Sequence, residues 1–208
     1  MTLAQWLSPA FPVGAFAYSH GLEQAVADGA VTDGGSLAAW IADVLAHGSG
    51  RSDAILLAAA HRAASPAEVA DIAATARAFA PARERLAETT ALGAAFAQTV
   101  RAAWSLDVAD APYPVALGRA CALTATPLGP AAALYLHAFA ANLVSAAQRA
   151  MPLGQSEAQA ILARLAQPCR RVAALALAEG LDDLAGTAFL AEIAAMRHET
   201  MDVRIFRT

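Results

Sequence analysis

Apolar residues recur at intervals of three and four along most of this chain, which is the spacing that lines one face of an α-helix. After Ser36, which we expect to cap a helix, five apolar residues share one face: Leu37, Trp40, Ile41, Val44 and Leu45. A second start is marked by Ser65, Pro66 and Glu68, which supply a cap residue, a proline in the first turn and a glutamate that can bond back. The periodicity therefore predicts helices.

The rest of the chain divides at prolines, glycines and short polar runs. Further helices are predicted over residues 16–28, 51–64, 81–104, 115–125, 131–150, 156–166, 168–179 and 184–195. Residues 1–15, which hold Pro9, Pro12 and Gly14, are expected to form an irregular N-terminal segment. No alternating apolar run is long enough for a sheet. We therefore predict an all-α fold in which residues 1–208 form a single compact bundle of roughly nine or ten helices.

Composition argues against several classes of function. All 14 basic residues are arginines, so the chain has neither the lysine of a P-loop nor a lysine that could form a Schiff base. The net charge of −4 and the scattered arginines provide no basic patch for nucleic acid. We therefore expect no GTPase activity in this chain itself, no nucleic-acid partner and no cofactor.

Targeting and membrane signals are weak as well. The first 22 residues contain no arginine or lysine, so the charged start of a signal peptide is missing and we expect a cytoplasmic protein. Residues 120–148 carry no charge, but two prolines and a glycine interrupt them, which is more typical of the core of a soluble bundle than of a membrane span. Cys121 and Cys169 lack a CxxC partner, and we expect buried, reduced thiols.

Catalytic and metal-binding patterns are also weak. The five histidines are His20, His47, His61, His137 and His198. None stands three or four residues from another His or Cys, so no metal site is firmly predicted. Ser19 beside His20 could suggest a hydrolase, but the GxSxG pattern and its strand-turn-helix context are missing, and no catalytic residue is predicted. Glu84 and Glu88 are expected to be solvated on a helix surface.

Three segments are less easily explained as ordinary helix or loop. Residues 7–23 combine two prolines, two glycines and three aromatic residues, and could be an N-terminal plug. Residues 113–118 and 142–155 could be a loop and a helix interior. The C-terminal tail, residues 196–208, alternates apolar residues with arginines instead of being polar. This tail either folds back on its own core or docks on a partner, because arginine and large apolar groups are enriched at interface centres.

Taken together, the three segments resemble the urease accessory protein UreF family. The first is similar to its S-P-x-x-P-x-G-x-F-x-Y-S-x-G-L-E pattern, and the second to Y-P-x-A-x-G and N-x-x-S-A-A-x-R-x-x-P-L-G-Q. The tail resembles M-R-H-E-T-x-x-x-R-x-F-R-[ST]. These patterns occur in the family's order over nearly the whole chain, and their ordered combination is highly specific. His20 stands where the family often has glutamine.

The resemblance implies a helical, non-enzymatic adaptor for urease maturation. Such a protein is usually a homodimer that joins the accessory protein UreD, also called UreH, recruits the GTPase UreG and helps deliver nickel to apo-urease. The resemblance assigns contacts with UreD/UreH to the tail residues Arg197, His198, Glu199, Arg204, Phe206 and Arg207. It nominates Tyr18, Ser19, His20 and Glu23 for the GTPase or for nickel passage. A generic helical interaction module and a Ser19-dependent hydrolase or transferase are the alternatives.

Overall fold

The computed structural model describes residues 1–207, which form ten α-helices, two short 3-10 helices and no strand. The α-helices are α1 (Thr2–Trp6), α2 (Leu22–Ala27), α3 (Gly34–His47), α4 (Ser49–Arg62), α5 (Pro66–Ala78), α6 (Arg83–Trp104), α7 (Tyr113–Leu123), α8 (Leu128–Ala150), α9 (Gln155–Ala176) and α10 (Phe189–His198). The 3-10 helices are Ala15–Ala17 and Leu181–Asp183. The predicted all-α, single-domain fold is confirmed. Thr208, the last residue of the predicted tail, lies outside the described residues.

Helix starts follow capping chemistry. Ser65 caps α5 as predicted, because its Oγ accepts the Glu68 N–H at 3.2 Å. The prediction for α3 was wrong by one turn, because Asp33 is the cap and its Oδ1 accepts the Ser36 N–H at 2.8 Å. Ser36 returns the bond by accepting the Asp33 N–H at 3.0 Å, so the two residues form a capping box. The helix therefore begins three residues earlier than predicted, because the Asp33 carboxylate supplies the cap.

The predicted helix over residues 16–28 was also wrong in its first half. Regular α-helix begins only at Leu22, because His20 and Gly21 have left-handed backbones with φ values of 53° and 75°. Gly21 also lies against α10, since a Cβ there would come within 2.5 Å of the Ala195 backbone nitrogen. The N-terminal segment, expected to be irregular, contains the one-turn helix α1, whose Trp6 ring packs edge-on against Phe96.

The C-terminal half differs from prediction in two places. Residues 156–166 and 168–179 were expected as separate helices, but Pro168 lies inside the continuous helix α9. Ile161, Leu165 and Cys169 form a buried face of α9 that packs on the core. The free energy gained by this packing outweighs the loss of the one backbone hydrogen bond that proline removes. The helix expected over residues 184–195 starts late, because the Thr187 and Ala188 N–H groups donate to the His47 carbonyl instead of to a helical turn.

The core centres on α4, α7 and α8. Helices α4 and α7 meet closely at Gly118, where a Cβ would lie 2.3 Å from the Leu57 carbonyl oxygen. α8 is the one described helix long and apolar enough to cross a membrane by length and composition, and 56% of its apolar stretch is buried by the rest of the protein. Such burial is typical of a core helix in a soluble bundle. Cys121 and Cys169 are buried free thiols, as predicted.

Candidate functional site

The C-terminal tail folds back on its own chain and meets residues 16–23, which we call the N-terminal segment of the site. The Phe206 ring is 3% exposed. The backbone N–H groups of Ile205 and Phe206 donate to the two carboxylate oxygens of Glu23, at 2.7 and 3.0 Å. The Arg207 N–H donates to the Ala17 carbonyl at 2.8 Å. The two bonds to Glu23 join residues that are 182 and 183 positions apart in the sequence. Two distant segments of the chain therefore form one site.

His198, at the end of α10, is the centre of this site and is fully buried. Its Nε2 lies 3.0 Å from Glu23 Oε2 and its Nδ1 lies 2.8 Å from Glu84 Oε2. Each ring nitrogen thus contacts one carboxylate, and His198 joins α2 to α6. We call Glu23, Glu84 and His198, together with the tail atoms they bind, the tail latch.

Further charges surround the tail latch. Arg204 Nη1 lies 2.5 Å from Glu84 Oε1. Glu199 Oε1 accepts the Arg83 N–H at 2.8 Å, which gives the first turn of α6 a side-chain acceptor from the tail. Arg197 pairs with Asp28 at 2.8 Å on the surface. The tail is therefore held by charged contacts to both α2 and α6.

The Glu23 carboxylate remains ionised inside this cluster. Burial alone would raise its pKa, but hydrogen bonds from the Ile205 N–H, the His198 ring and the Phe206 N–H outweigh burial and lower the pKa below its ordinary value. The negative charge and the docked tail therefore stabilise each other.

Arg149 of α8 links the tail to the N-terminal segment from the other side. Its guanidinium carbon lies 4.2 Å from the centre of the Phe206 ring, a cation–π geometry. Its Nη2 donates to the Phe16 carbonyl at 2.6 Å. The sequence did not single out Arg149 as a site residue, although it belongs to the N-x-x-S-A-A-x-R block. Its position inside a predicted helix gave no sign of contact with the tail.

A second ionic cluster lies one turn further along α6, and we call it the core network. Tyr135 Oη donates to Asp53 Oδ2 at 2.5 Å, and Arg85 Nη2 lies 2.6 Å from the same oxygen. Arg85 also lies 3.5 Å from Glu88, whose Oε1 is 2.9 Å from His20 Nε2. The network therefore joins α4, α6, α8 and the N-terminal segment.

The expectation that Glu84 and Glu88 are solvated was wrong. Both carboxylates are inside the protein, and Glu88 stands one turn before Leu92 and two before Phe96 on the buried face of α6. Burial would raise the pKa of Glu88, but His20 and Arg85 lower it below its ordinary value. Burial likewise opposes the charge of Arg85, but Asp53 and Glu88 raise its pKa. The spacing of four residues from Glu88 to Leu92 and from Leu92 to Phe96 was the signal in the sequence for a buried carboxylate.

The N-terminal candidates are mostly internal. Tyr18 and Glu23 are buried, Ser19 is fully buried, and the His20 ring packs on Phe139 with 4.6 Å between ring centres. Ser19 Oγ accepts the Glu23 N–H at 3.4 Å, at the start of α2. Ser19 is therefore shielded from solvent. The four residues, Tyr18, Ser19, His20 and Glu23, therefore shape the site from within.

Two cavities adjoin these clusters. The larger, about 250 Å³, lies between α4, α6 and α10 and is lined in part by Ser49, Ser52, Asp53, Arg85 and Glu192. The smaller, about 40 Å³, has His20, Glu84 and Glu88 in its wall. Within residues 1–207, no group of three or more His, Cys, Asp or Glu side chains could hold a metal ion.

The outer face of α10 is apolar and exposed. Phe189, Leu190, Ile193 and Met196 form this face, whereas Ala191, Ala194 and His198 face inward. We call these four exposed residues the α10 apolar face. A contiguous group of large apolar side chains on a surface is typical of a site for another protein.

Comparison with known proteins agrees with this picture. The sequence model of the UreF family matches residues 31–166. "Urease accessory protein UreF" of Cereibacter sphaeroides is 56% identical over the whole of this chain and 98% of its own length. Proteins of the same name from Roseobacter denitrificans and Ruegeria pomeroyi are 53% and 51% identical over the whole chain, covering 93% and 96% of their lengths. The chain therefore belongs to the UreF family.

Proposed function

We propose that this chain is a non-catalytic adaptor of urease maturation, which joins UreD/UreH and recruits the GTPase UreG for GTP-dependent insertion of nickel into apo-urease. Membership of the UreF family supports a role in urease maturation and in the urease accessory complex. The α10 apolar face supports the finer proposal, because it gives the chain a surface suited to another protein. The adaptor acts in the cytoplasm, as a homodimer and without a cofactor of its own.

The tail residues divide into two roles under this proposal. His198 and Phe206 are buried and Glu199 binds the start of α6, so these three position the tail. Arg197, Arg204 and Arg207 are exposed and bind carboxylates and carbonyls of UreD/UreH in this proposal, Arg197 and Arg204 through the part of the guanidinium that faces solvent beside the ion pairs with Asp28 and Glu84. Val203 and Ile205 are exposed beside them and extend the apolar surface. The observation that carries the proposal is the joint exposure of the α10 apolar face and these arginines.

The N-terminal residues contribute indirectly. Tyr18, Ser19 and Glu23 are buried, so they hold the structure around the docked tail in place instead of touching the GTPase themselves. His20 lines the smaller cavity together with Glu84 and Glu88, which supports a role near the path of nickel. Nickel is the cargo in this proposal and not a resident cofactor.

Expression of the cognate urease operon with and without this gene, in nickel-supplemented cells, tests the proposal. Urease activity and nickel per purified enzyme should both collapse without the gene and return with it. The double variant Arg204→Ala and Arg207→Ala should restore neither, whereas Arg164→Ala, an exposed arginine on α9, should restore both. Unchanged activity and nickel content without the gene would favour the generic helical module.

A hydrolase or transferase dependent on Ser19 predicts turnover by the isolated chain. Activity that vanishes in Ser19→Ala would support that alternative and contradict the adaptor.

A further inference from the structure

Glu192 of α10 is a carboxylate that the protein leaves without a cation. It lines both cavities, and its Oε1 lies so close to Gly186 that a Cβ there would be 2.4 Å away. Within residues 1–207, no arginine or histidine forms an ion pair with it. Burial raises the pKa of Glu192, and no neighbouring charge offsets burial. Every other ionised side chain on the larger cavity, by contrast, has an opposite charge in contact.

The charges around Glu192 do not neutralise it. Arg85 faces the same cavity, but it is held by Asp53 at 2.6 Å and by Glu88 at 3.5 Å. Asp53 is bound by both Arg85 and the Tyr135 hydroxyl. Glu192 is thus the one carboxylate among the described cavity residues whose charge is open to a new partner.

The helix that carries Glu192 also carries an apolar face that suits a protein partner. Phe189 and Met196 stand three residues before and four residues after Glu192, so they flank it on adjacent turns of α10. Both are exposed and belong to the α10 apolar face. The hydroxyls of Ser49 and Ser52 lie in the cavity wall and have lone pairs that can accept hydrogen bonds. The cavity thus combines a partly exposed carboxylate with hydroxyl acceptors, and the helix that supplies the carboxylate also carries the α10 apolar face.

We propose that this cavity receives an arginine side chain of the protein that docks on α10. The α10 apolar face packs on the partner, and the guanidinium pairs with Glu192 while its remaining N–H groups reach the serine hydroxyls. A guanidinium fits better than an ammonium, because its planar fork presents five donors to acceptors that lie on different sides of the cavity. The inference rests on the proposed function, since it names the chemistry by which the docked partner is held.

The test uses the full chain co-expressed with its cognate UreD/UreH, and measures the dissociation constant of the purified pair. Glu192→Gln keeps the size of the side chain and removes the charge. We expect at least about a tenfold loss of affinity, as is usual when one member of a buried interfacial charge pair is removed. Glu157→Gln, an exposed glutamate on α9, should leave affinity unchanged. Equal affinity of Glu192→Gln and the unchanged chain would overturn the proposal.

Stability of the free chain separates docking from a purely structural role. Glu192 has no cation to lose, so Glu192→Gln should unfold at the same or a higher denaturant concentration. A destabilised free variant would point to a structural role and would overturn the proposal. Leu190→Ser tests the proposed function separately, because it weakens docking whether or not an arginine enters the cavity. If Leu190→Ser weakens binding and Glu192→Gln does not, the adaptor stands and the arginine receptor fails.

A charge exchange identifies the arginine. Glu192→Arg should abolish binding, and one Arg→Glu change in the partner should restore it. If a Lys→Glu change in the partner restores binding instead, the choice of a guanidinium is overturned. If no Arg→Glu change in the partner restores binding, the proposed arginine site itself is overturned.

Discussion

The core network and the tail latch use the same kinds of residue on neighbouring turns of α6, yet they hold different things together. In the core network, Arg85 joins side chains from helices that also share an extensive apolar core. In the tail latch, Glu84 and His198 hold a segment whose one buried apolar side chain among the described residues is Phe206. Buried ion pairs therefore reinforce a packed interior in one region and provide much of the attachment in the other.

The difference between the regions also separates two kinds of stability. Helices α4, α6 and α8 cannot separate without opening the core, so damage to the core network should destabilise the whole molecule. The tail can detach locally while the helices remain packed, because chain termini occupy the low end of the range of local opening free energies. Variants that each change one charge can therefore show whether the loss of stability is global or confined to the tail.

The largest effect is expected for Arg85→Met. The variant leaves Asp53 buried without its cation and Glu88 with His20 alone, which should lower the free energy of unfolding by about 3–5 kcal/mol. Urea denaturation followed by tryptophan fluorescence measures the change, since Trp6 is in the core. Arg164→Ala, an exposed arginine, is the control and should change it very little. A loss no larger than that of the control would show that the network does not stabilise the core.

His198→Ala should act on the tail first. It removes the imidazole that bridges Glu23 and Glu84 in the tail latch and leaves both carboxylates without that partner, a loss of about 1–3 kcal/mol. Hydrogen exchange at the Ile205 and Phe206 amides should approach that of an unstructured peptide. Amides of α4 should stay protected. Equal acceleration in α4 and in the tail would mean that the two regions form one cooperative unit.

Acid should release the tail through Glu23. The folded pKa of this carboxylate lies below the ordinary value of 4.5, so its contribution is present above pH 4.5 and is lost as pH falls through the folded pKa. Protonation removes an acceptor for the Ile205 and Phe206 N–H groups. The free energy of unfolding should therefore fall below pH 4.5. Glu23→Gln should flatten part of this slope, and an unchanged slope would remove Glu23 as its source.

These contacts also show how much of the fold and of the site could be predicted from the sequence. Helical spacing predicted the bundle, and the ordered motifs selected both Glu23 and His198 as site residues. The spacing did not reveal that the two meet, because a local pattern carries no information about contacts between residues 175 positions apart. His20 and Gly21 were assigned to a helix because adjacent residues suited one, whereas packing of Gly21 against α10 requires a left-handed backbone.

The smallest effect on folding is expected for Arg197→Ala, beside His198 in sequence. The Arg197 side chain is 60% exposed and its ion pair with Asp28 lies on the surface, so its loss should cost no more than about 1 kcal/mol. Binding to UreD/UreH should nevertheless weaken, because Arg197 lies next to the α10 apolar face. Denaturation and affinity are measured on the same preparations, with Arg164→Ala as the control. If stability and binding fall together, Arg197 acts as part of the tail latch; if only binding falls, adjacent residues of one helix serve the fold and the partner separately.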